Sequence, residues 1–272
     1  MVLEVIYIVR HGFRSNWVVD PATGTYRANI PSPTGIPSDP ALAGYGVLQA
    51  QQLGDHLMKV DPPVDLIYSS PFYRCLQTLL PFVKARVARD GKDKIRVHVE
   101  RGVGEFYGLA RFDHPSPAPI GELRRHFEHL ETDAEPIITP STKGESIPQL
   151  HERLAYCLQH LIHRADTDPN GPKALLICCH AATMIALGRV LTGRMPEDIS
   201  ADDFQCYTCS FSKFDRRTKE KNASIPDSSW SPDTPEQIPN IGWKNGAGIA
   251  GGWDCSVNAD CSFLAGGAER GW

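Results

Sequence analysis

Two runs in this 272-residue chain set histidine, in the first case between arginines, where it could hold or attack an anion. The first is Arg10-His11-Gly12-Phe13-Arg14, directly after an apolar, β-branched run at residues 2–9. An imidazole between two guanidiniums is a poor structural choice, because neighbouring positive charge opposes its protonation. The arrangement suits a histidine kept neutral and nucleophilic while the arginines bind an anion. Arginine fits that task because its planar fork meets phosphate oxygens in pairs. Gly12 allows the backbone to approach closely at the turn. The second run is Cys179-His180-Ala181-Ala182, which puts another histidine after an apolar stretch and at the start of a helical pattern.

Two further segments supply the remaining chemistry. In Ser69-Ser70-Pro71-Phe72-Tyr73-Arg74-Cys75-Leu76-Gln77-Thr78, Pro71 marks a helix's first turn and Arg74 lies about one turn inside. Helix N-termini favour anions through their free N–H groups and the macrodipole. In Arg101-Gly102-Val103-Gly104-Glu105-Phe106-Tyr107-Gly108, Glu105 sits among glycines and aromatics, where a raised pKa would fit it for proton donation. Each segment alone has an ordinary reading: a polar turn, a capped helix, a surface glutamate, a satisfied histidine. Together they give two histidines, three arginines and one carboxylate, a set suited to a phosphate dianion.

The elements that must position these residues alternate between strand and helix. Strand-like runs at 2–9, 65–69, 95–99 and 174–179 are separated by helical patterns at 42–60, 71–87, 146–164 and 181–191. In the first helix Val47, Leu53 and Leu57 are expected on the apolar face; in the third, Ile147, Leu150, Leu154, Leu158 and Leu161 form one stripe. Such alternation implies an α/β fold with a mostly parallel sheet flanked by helices on both faces. Ligands in these sheets sit at the carboxyl ends of the strands, where all four motifs fall. Residues 106–140, Pro-rich with one expected helix near 122–130, read as an inserted cap. Residues 1–220 are expected to form the α/β domain. The Gly-, Pro- and Trp-bearing tail at 221–272 is expected to wrap irregularly on it.

Composition excludes several classes. With 28 basic and 32 acidic side chains the net charge is −4, which argues against a nucleic-acid-binding surface. No apolar run approaches the roughly 18 residues of a membrane helix. The opening Met1-Val2-Leu3-Glu4 lacks the basic start of a secretory signal, so the eight cysteines read as reduced thiols in an intracellular protein. Cys206 and Cys209 have zinc-like spacing, with Cys255 and Cys261 as further donors. A strand at 206–214 would send the first two to opposite faces, however, and no metal or cofactor is expected. Asn222-Ala223-Ser224 is a glycosylation sequon without weight in that setting.

The sequence resembles the histidine phosphatase superfamily, with the phosphoglycerate-mutase-like fold. The likeness is carried by Arg10-His11-Gly12, by the spacing of Ser70, Arg74 and Thr78, by Gly144-Glu145-Ser146 and by His180. It implies His11 as the nucleophile that forms a phosphohistidine, with Glu105 as general acid and base. Arg10, Arg14, Arg74 and His180 would bind the phosphoryl oxygens, His180 also counting among the catalytic residues, and no metal is required. Within the superfamily, the segments around residues 6–17, 70–76, 100–107 and 180–182 and the ending at 263–272 resemble the fungal histidine phosphatase domains of the transcription factor IIIC tau subunit. That likeness implies two readings. One is a phosphatase of phosphomonoesters, phosphotyrosine among them, acting on a phosphorylated small molecule or phosphopeptide. The other is an assembly subunit of the RNA polymerase III factor with weak or vestigial phosphatase activity, nuclear and partnered by transcription factor IIIC subunits; outside that factor the protein is expected in the cytoplasm. A mutase is the enzymatic runner-up.

Overall fold

The computed structural model describes residues 2–131, 135–218, 225 and 229–271. The sequon at 222–224 and Trp272 lie outside them. At the centre is β1 (Val5–Arg10), whose first five residues are buried, as expected of an apolar, β-branched run covered on both faces. Its alternate side chains divide the interior. Ile6 and Ile8 enter the cluster built with α4 (Ile147–Thr167) and α5 (Ala181–Thr192). Val5, Tyr7 and Val9 enter the one built with α1 (Gly44–Leu57) and α2 (Tyr73–Asp90). The period of two in the strand thus assigns one helical layer to each face.

The sheet order is β5-β4-β6-β1-β7-β8, with β4 (Leu66–Ser69), β5 (His98–Val99), β6 (Ala174–Cys179), β7 (Phe211–Arg216) and β8 (Trp253–Asp260). The pairings β5/β4, β4/β6 and β6/β1 are parallel, whereas β7 and β8 add antiparallel to the far edge. A separate hairpin, β2 (Trp17–Asp20) with β3 (Thr25–Ala28), follows the first motif. Register is what matters for chemistry. Arg10 is opposite Cys179 and Ser69 is opposite Cys178, so His11, Ser70 and His180 leave three neighbouring strands at the same height. His11 N–H donates to Cys179 O at 3.0 Å and Ser70 N–H to Cys178 O at 2.9 Å, extending the ladder to the residues that carry function.

Several local expectations need correction. On α1, Val47 is 44% exposed; the packed face is instead Gly46, Ala50, Leu53, Gly54 and Leu57, where small residues let the helix approach. Ile147 of the α4 stripe is 38% exposed, while Leu150, Leu154, Leu158 and Leu161 are buried. The helix expected near 122–130 is only α3 (Ile120–Leu123). Beyond it the chain extends to bond Val97, which receives from Glu131 N–H and donates to His129 O, so sheet-edge pairing wins over helical spacing. The strand expected from Cys206 begins at Phe211, because Cys209 takes a left-handed turn at φ 55°. The tail is not wholly irregular: β8 lies within it, and Trp243 and Trp253 are buried in the α4/α5 cluster. No helix among the described residues is long and apolar enough to cross a membrane.

Candidate active site

His11 is buried at the end of β1, and its Nδ1 lies 2.8 Å from the Gly12 carbonyl oxygen. A carbonyl can only accept, so Nδ1 carries the proton and Nε2 keeps its lone pair. Burial, together with the charges of Arg74, His180, Arg10 and Arg14, holds this imidazole well below the usual histidine range. The loop carrying it is fixed from behind: Gly12 N–H donates to Thr78 Oγ1 at 3.0 Å and Phe13 N–H to Gln49 Oε1 at 3.0 Å.

Arg74, in the first turn of α2 after β4, and His180, directly after β6, lie beside His11. The His11 and His180 rings meet edge-on with centroids 5.3 Å apart. Arg74 is fully buried; its Nη1 donates to Ser38 O at 3.1 Å and reaches Asp39 Oδ1 at 3.4 Å, and its guanidinium covers the Phe72 ring. Its Nη2 donates to Glu105 Oε2 at 2.7 Å. His180 Nδ1 approaches the same carboxylate oxygen at 3.2 Å, while its Nε2 lies 2.7 Å from Ser70 Oγ and 3.6 Å from Cys75 Sγ. Burial disfavours the His180 imidazolium, but Cys75 and Glu105 outweigh it and push the pKa up. Arg74 and His180 therefore share one carboxylate as two donors.

Glu105 departs from the expected raised pKa. Burial does push its carboxyl up, but His180 and Arg74 overcome this and hold it well below the usual carboxylate range. The sequence shows the glycines and aromatics beside Glu105, whereas the cations arrive from strands distant in the chain. The neighbouring aromatics also divide. Tyr107 stacks on His114 at 4.7 Å and stands near Trp17, Tyr26 and Phe72, with Arg14 over the Trp17 ring. Phe106 turns to the other side, into a cavity of about 530 Å³ shared with Ala182, Ile185, Phe204 and Tyr207.

The outer arginines are held but not neutralised. Arg10 Nη1 donates to the carbonyls of Cys206 and Arg270, while its Nε is buried and meets no acceptor among the described residues. Arg14 Nη1 donates to Ser15 O at 3.0 Å; burial and the Arg74 charge lower the Arg14 pKa to about 10. Among the described residues, neither has a carboxylate partner. One group of donor atoms could converge on a metal: those of His11, Glu105 and His180 lie within 4.8 Å of one another. Three guanidiniums and a readily protonated His180 surround that group, a field that favours an anion over a cation. The structure thus brings His11, Glu105, His180, Arg10, Arg14 and Arg74 together. Sequence reasoning gave no role to Asp39, Ser38 or Cys75, which orient Arg74 and His180, because nothing in their spacing points to the site.

The family model described as histidine phosphatase superfamily (branch 1) matches residues 6–224. The transcription factor tau 55 kDa subunit of Saccharomyces cerevisiae is 32% identical over the whole chain, which covers 59% of that protein. The ecdysteroid-phosphate phosphatase of Drosophila melanogaster is 29% identical over 70% of the chain and 27% of its own length. The chain therefore spans less than two thirds of these relatives. Among solved structures, the ecdysone phosphate phosphatase of Bombix mori, in complex with tungstate, superposes with a TM-score of 0.55 at 20% identity, over 85% of this chain and 98% of that one.

Proposed function

Because the chain belongs to the histidine phosphatase superfamily, we propose that it hydrolyses phosphomonoesters through a phosphohistidine on His11. The single observation that carries this reading is the Nδ1–H bond from His11 to Gly12 O, which leaves Nε2 as a buried, unprotonated nucleophile. Arg10, Arg14, Arg74 and His180 hold the three non-bridging phosphoryl oxygens and offset their charge in a site screened from water. His11 Nε2 attacks phosphorus and the ester bond breaks. The leaving oxygen takes the Glu105 proton. The Glu105 carboxylate then accepts a proton from water, whose oxygen attacks phosphorus, breaking the N–P bond and releasing inorganic phosphate.

Glu105 is ionised in the empty site, so its acid role depends on the substrate. An incoming dianion competes for Arg74 and His180 and sets negative charge beside the carboxylate. Both effects raise its pKa and load the proton needed by the leaving group.

The aromatic wall of Trp17, Tyr26, Phe72 and Tyr107 favours an aryl ester, phosphotyrosine above all, because ring stacking fits such a leaving group. Residues 1–220, with the cap at 106–140, and the segment at 221–272 act as one catalytic unit on this reading. Hydrolysis of a simple aryl phosphate and a phosphotyrosine peptide by wild type and His11→Ala tests it. Turnover by wild type that disappears in the variant supports it; equal rates would overturn it.

The likeness along the whole of this chain to 59% of the yeast tau subunit favours a second reading, an assembly role in transcription factor IIIC within the nucleus. Affinity capture from a fungal extract should then recover the other subunits of that factor. Their absence would count against it.

A further inference from the structure

A fourth arginine stands at the rim of the pocket, contributed by residues 268–271. This segment lies as a strap beside the His11 loop. Thr208 N–H donates to Glu269 O at 3.1 Å, and the Tyr45 hydroxyl bonds the Glu269 carboxylate. The Arg270 carbonyl accepts from Arg10 Nη1, while the Arg10 Nε is buried and meets no acceptor among the described residues. The Arg270 guanidinium lies over the Phe13 ring, 4.3 Å from its centroid, near enough for its charge to act on both Arg10 and Arg14. Its side chain is exposed, and among the described residues it pairs with no carboxylate.

The charge balance around His11 is informative. Arg74 is compensated by Asp39 and Glu105, and His180 shares Glu105. Among the described residues, Arg10, Arg14 and Arg270 form no ion pair with a carboxylate, although the Glu105 charge reaches Arg10 and Arg14. A phosphomonoester dianion supplies two negative charges, enough for the two buried arginines that flank His11. One positive charge is then left over, on the exposed side chain at the rim. The Phe13 ring keeps that guanidinium in place without neutralising it.

We propose that Arg270 binds a second acidic group of the substrate, the carboxylate of an Asp or Glu side chain flanking the phosphorylated residue of a peptide. The proposal rests on the phosphatase reading for the identity of the first group. It makes the strap a determinant of specificity rather than of the chemical step.

Affinity for uncleavable phosphonate analogues of phosphotyrosine peptides tests this directly, using pairs that differ only by Glu or Gln beside the phosphonate, on either side. Wild type should bind one Glu peptide about two- to fivefold more tightly than its Gln partner, as for an exposed ion pair. The preference should shrink at high salt. It should fall to one in Arg270→Ala, persist in Arg270→Lys and reverse in Arg270→Glu. Equal binding of both peptides by wild type, or an unchanged ratio in Arg270→Ala, would overturn the proposal. The ratio does not depend on turnover, so a protein that binds with this preference yet hydrolyses no phosphotyrosine peptide would fail only the phosphatase reading.

Discussion

Arg74 Nη2 donates to Glu105 Oε2 across 2.7 Å, joining a fully buried cation to a carboxylate that lies beside His11. The bond spans two crossover connections, from the helix after β4 to the loop after β5. It ties phosphate binding to proton transfer, because the group that holds the dianion is also the group that keeps the acid ionised until the dianion arrives.

Phosphate binding should therefore take up a proton. With Glu105 held well below the usual carboxylate range by His180 and Arg74, the free protein at neutral pH carries a carboxylate. An occupied site shifts that equilibrium towards the acid. Calorimetric titration with vanadate or inorganic phosphate, repeated in buffers of different ionisation enthalpy, should show net proton uptake by wild type and none by Glu105→Gln. Identical buffer dependence in both proteins would contradict the coupling.

The same substitution should lower kcat by about 10²–10⁴-fold, the usual contribution of a positioned general acid or base. The deficit should be greater for alkyl phosphates than for aryl phosphates, whose leaving oxygen needs less protonation. Rates measured with an ester series of varied leaving-group pKa check this. A uniform loss across the series would argue for a purely electrostatic role.

Removing Arg74 leaves Asp39 and Glu105 without their shared cation. Arg74→Ala should cost about 3–5 kcal/mol of stability, as for other buried pairs stripped of one partner. Denaturant unfolding gives the value. A cost below about 1 kcal/mol, the scale of surface ion pairs, would show that the pairing is not strongly coupled to folding.

The fold and the site were legible to different degrees. The apolar runs of β1 and β6 predict a covered sheet, and their ends locate His11 and His180. No local pattern could show that Arg10 and Cys179 are partners in register, the relation that brings the two histidines together. Glu105 was visible as a carboxylate among glycines, but the direction of its pKa depends on Arg74 and His180, 31 and 75 positions away in the chain. The tail's Gly and Pro content hid β8, whose alternation at 253–260 is set by pairing with β7. Arg270 carried no sequence signal because its role depends on where the strap lies.

Histidine titration gives the stability a pH dependence. Burial, Arg74, His180, Arg10 and Arg14 all hold His11 below its unfolded value of 6.5. Below that pH the unfolded chain gains a proton that the folded one does not, so stability is lost as pH falls. His180 has the opposite sign: its raised pKa contributes stability below 6.5 that is lost as pH rises through the folded value. His11→Gln should therefore lose less Tm than wild type between neutral pH and about pH 5. Parallel losses would contradict the assignment.

Close packing behind the nucleophile predicts sensitivity at Gly46. A Cβ there would stand 1.9 Å from Phe13 O, and the backbone of the His11 loop has no flexible side chain to yield. Gly46→Ala should displace α1 from that loop, at a cost of about 1–3 kcal/mol with a fall in kcat. Thermal unfolding and steady-state rates measured together check it; an unchanged Tm would show that the loop can shift freely.

The most direct test of the account is to trap the covalent intermediate. Wild-type protein mixed rapidly with an aryl phosphate and quenched in alkali should gain one phosphoryl group, acid-labile and located on His11 by peptide mass spectrometry. His11→Ala should gain none. Turnover by wild type without a phosphoryl group on His11, or with label on another residue, would contradict it.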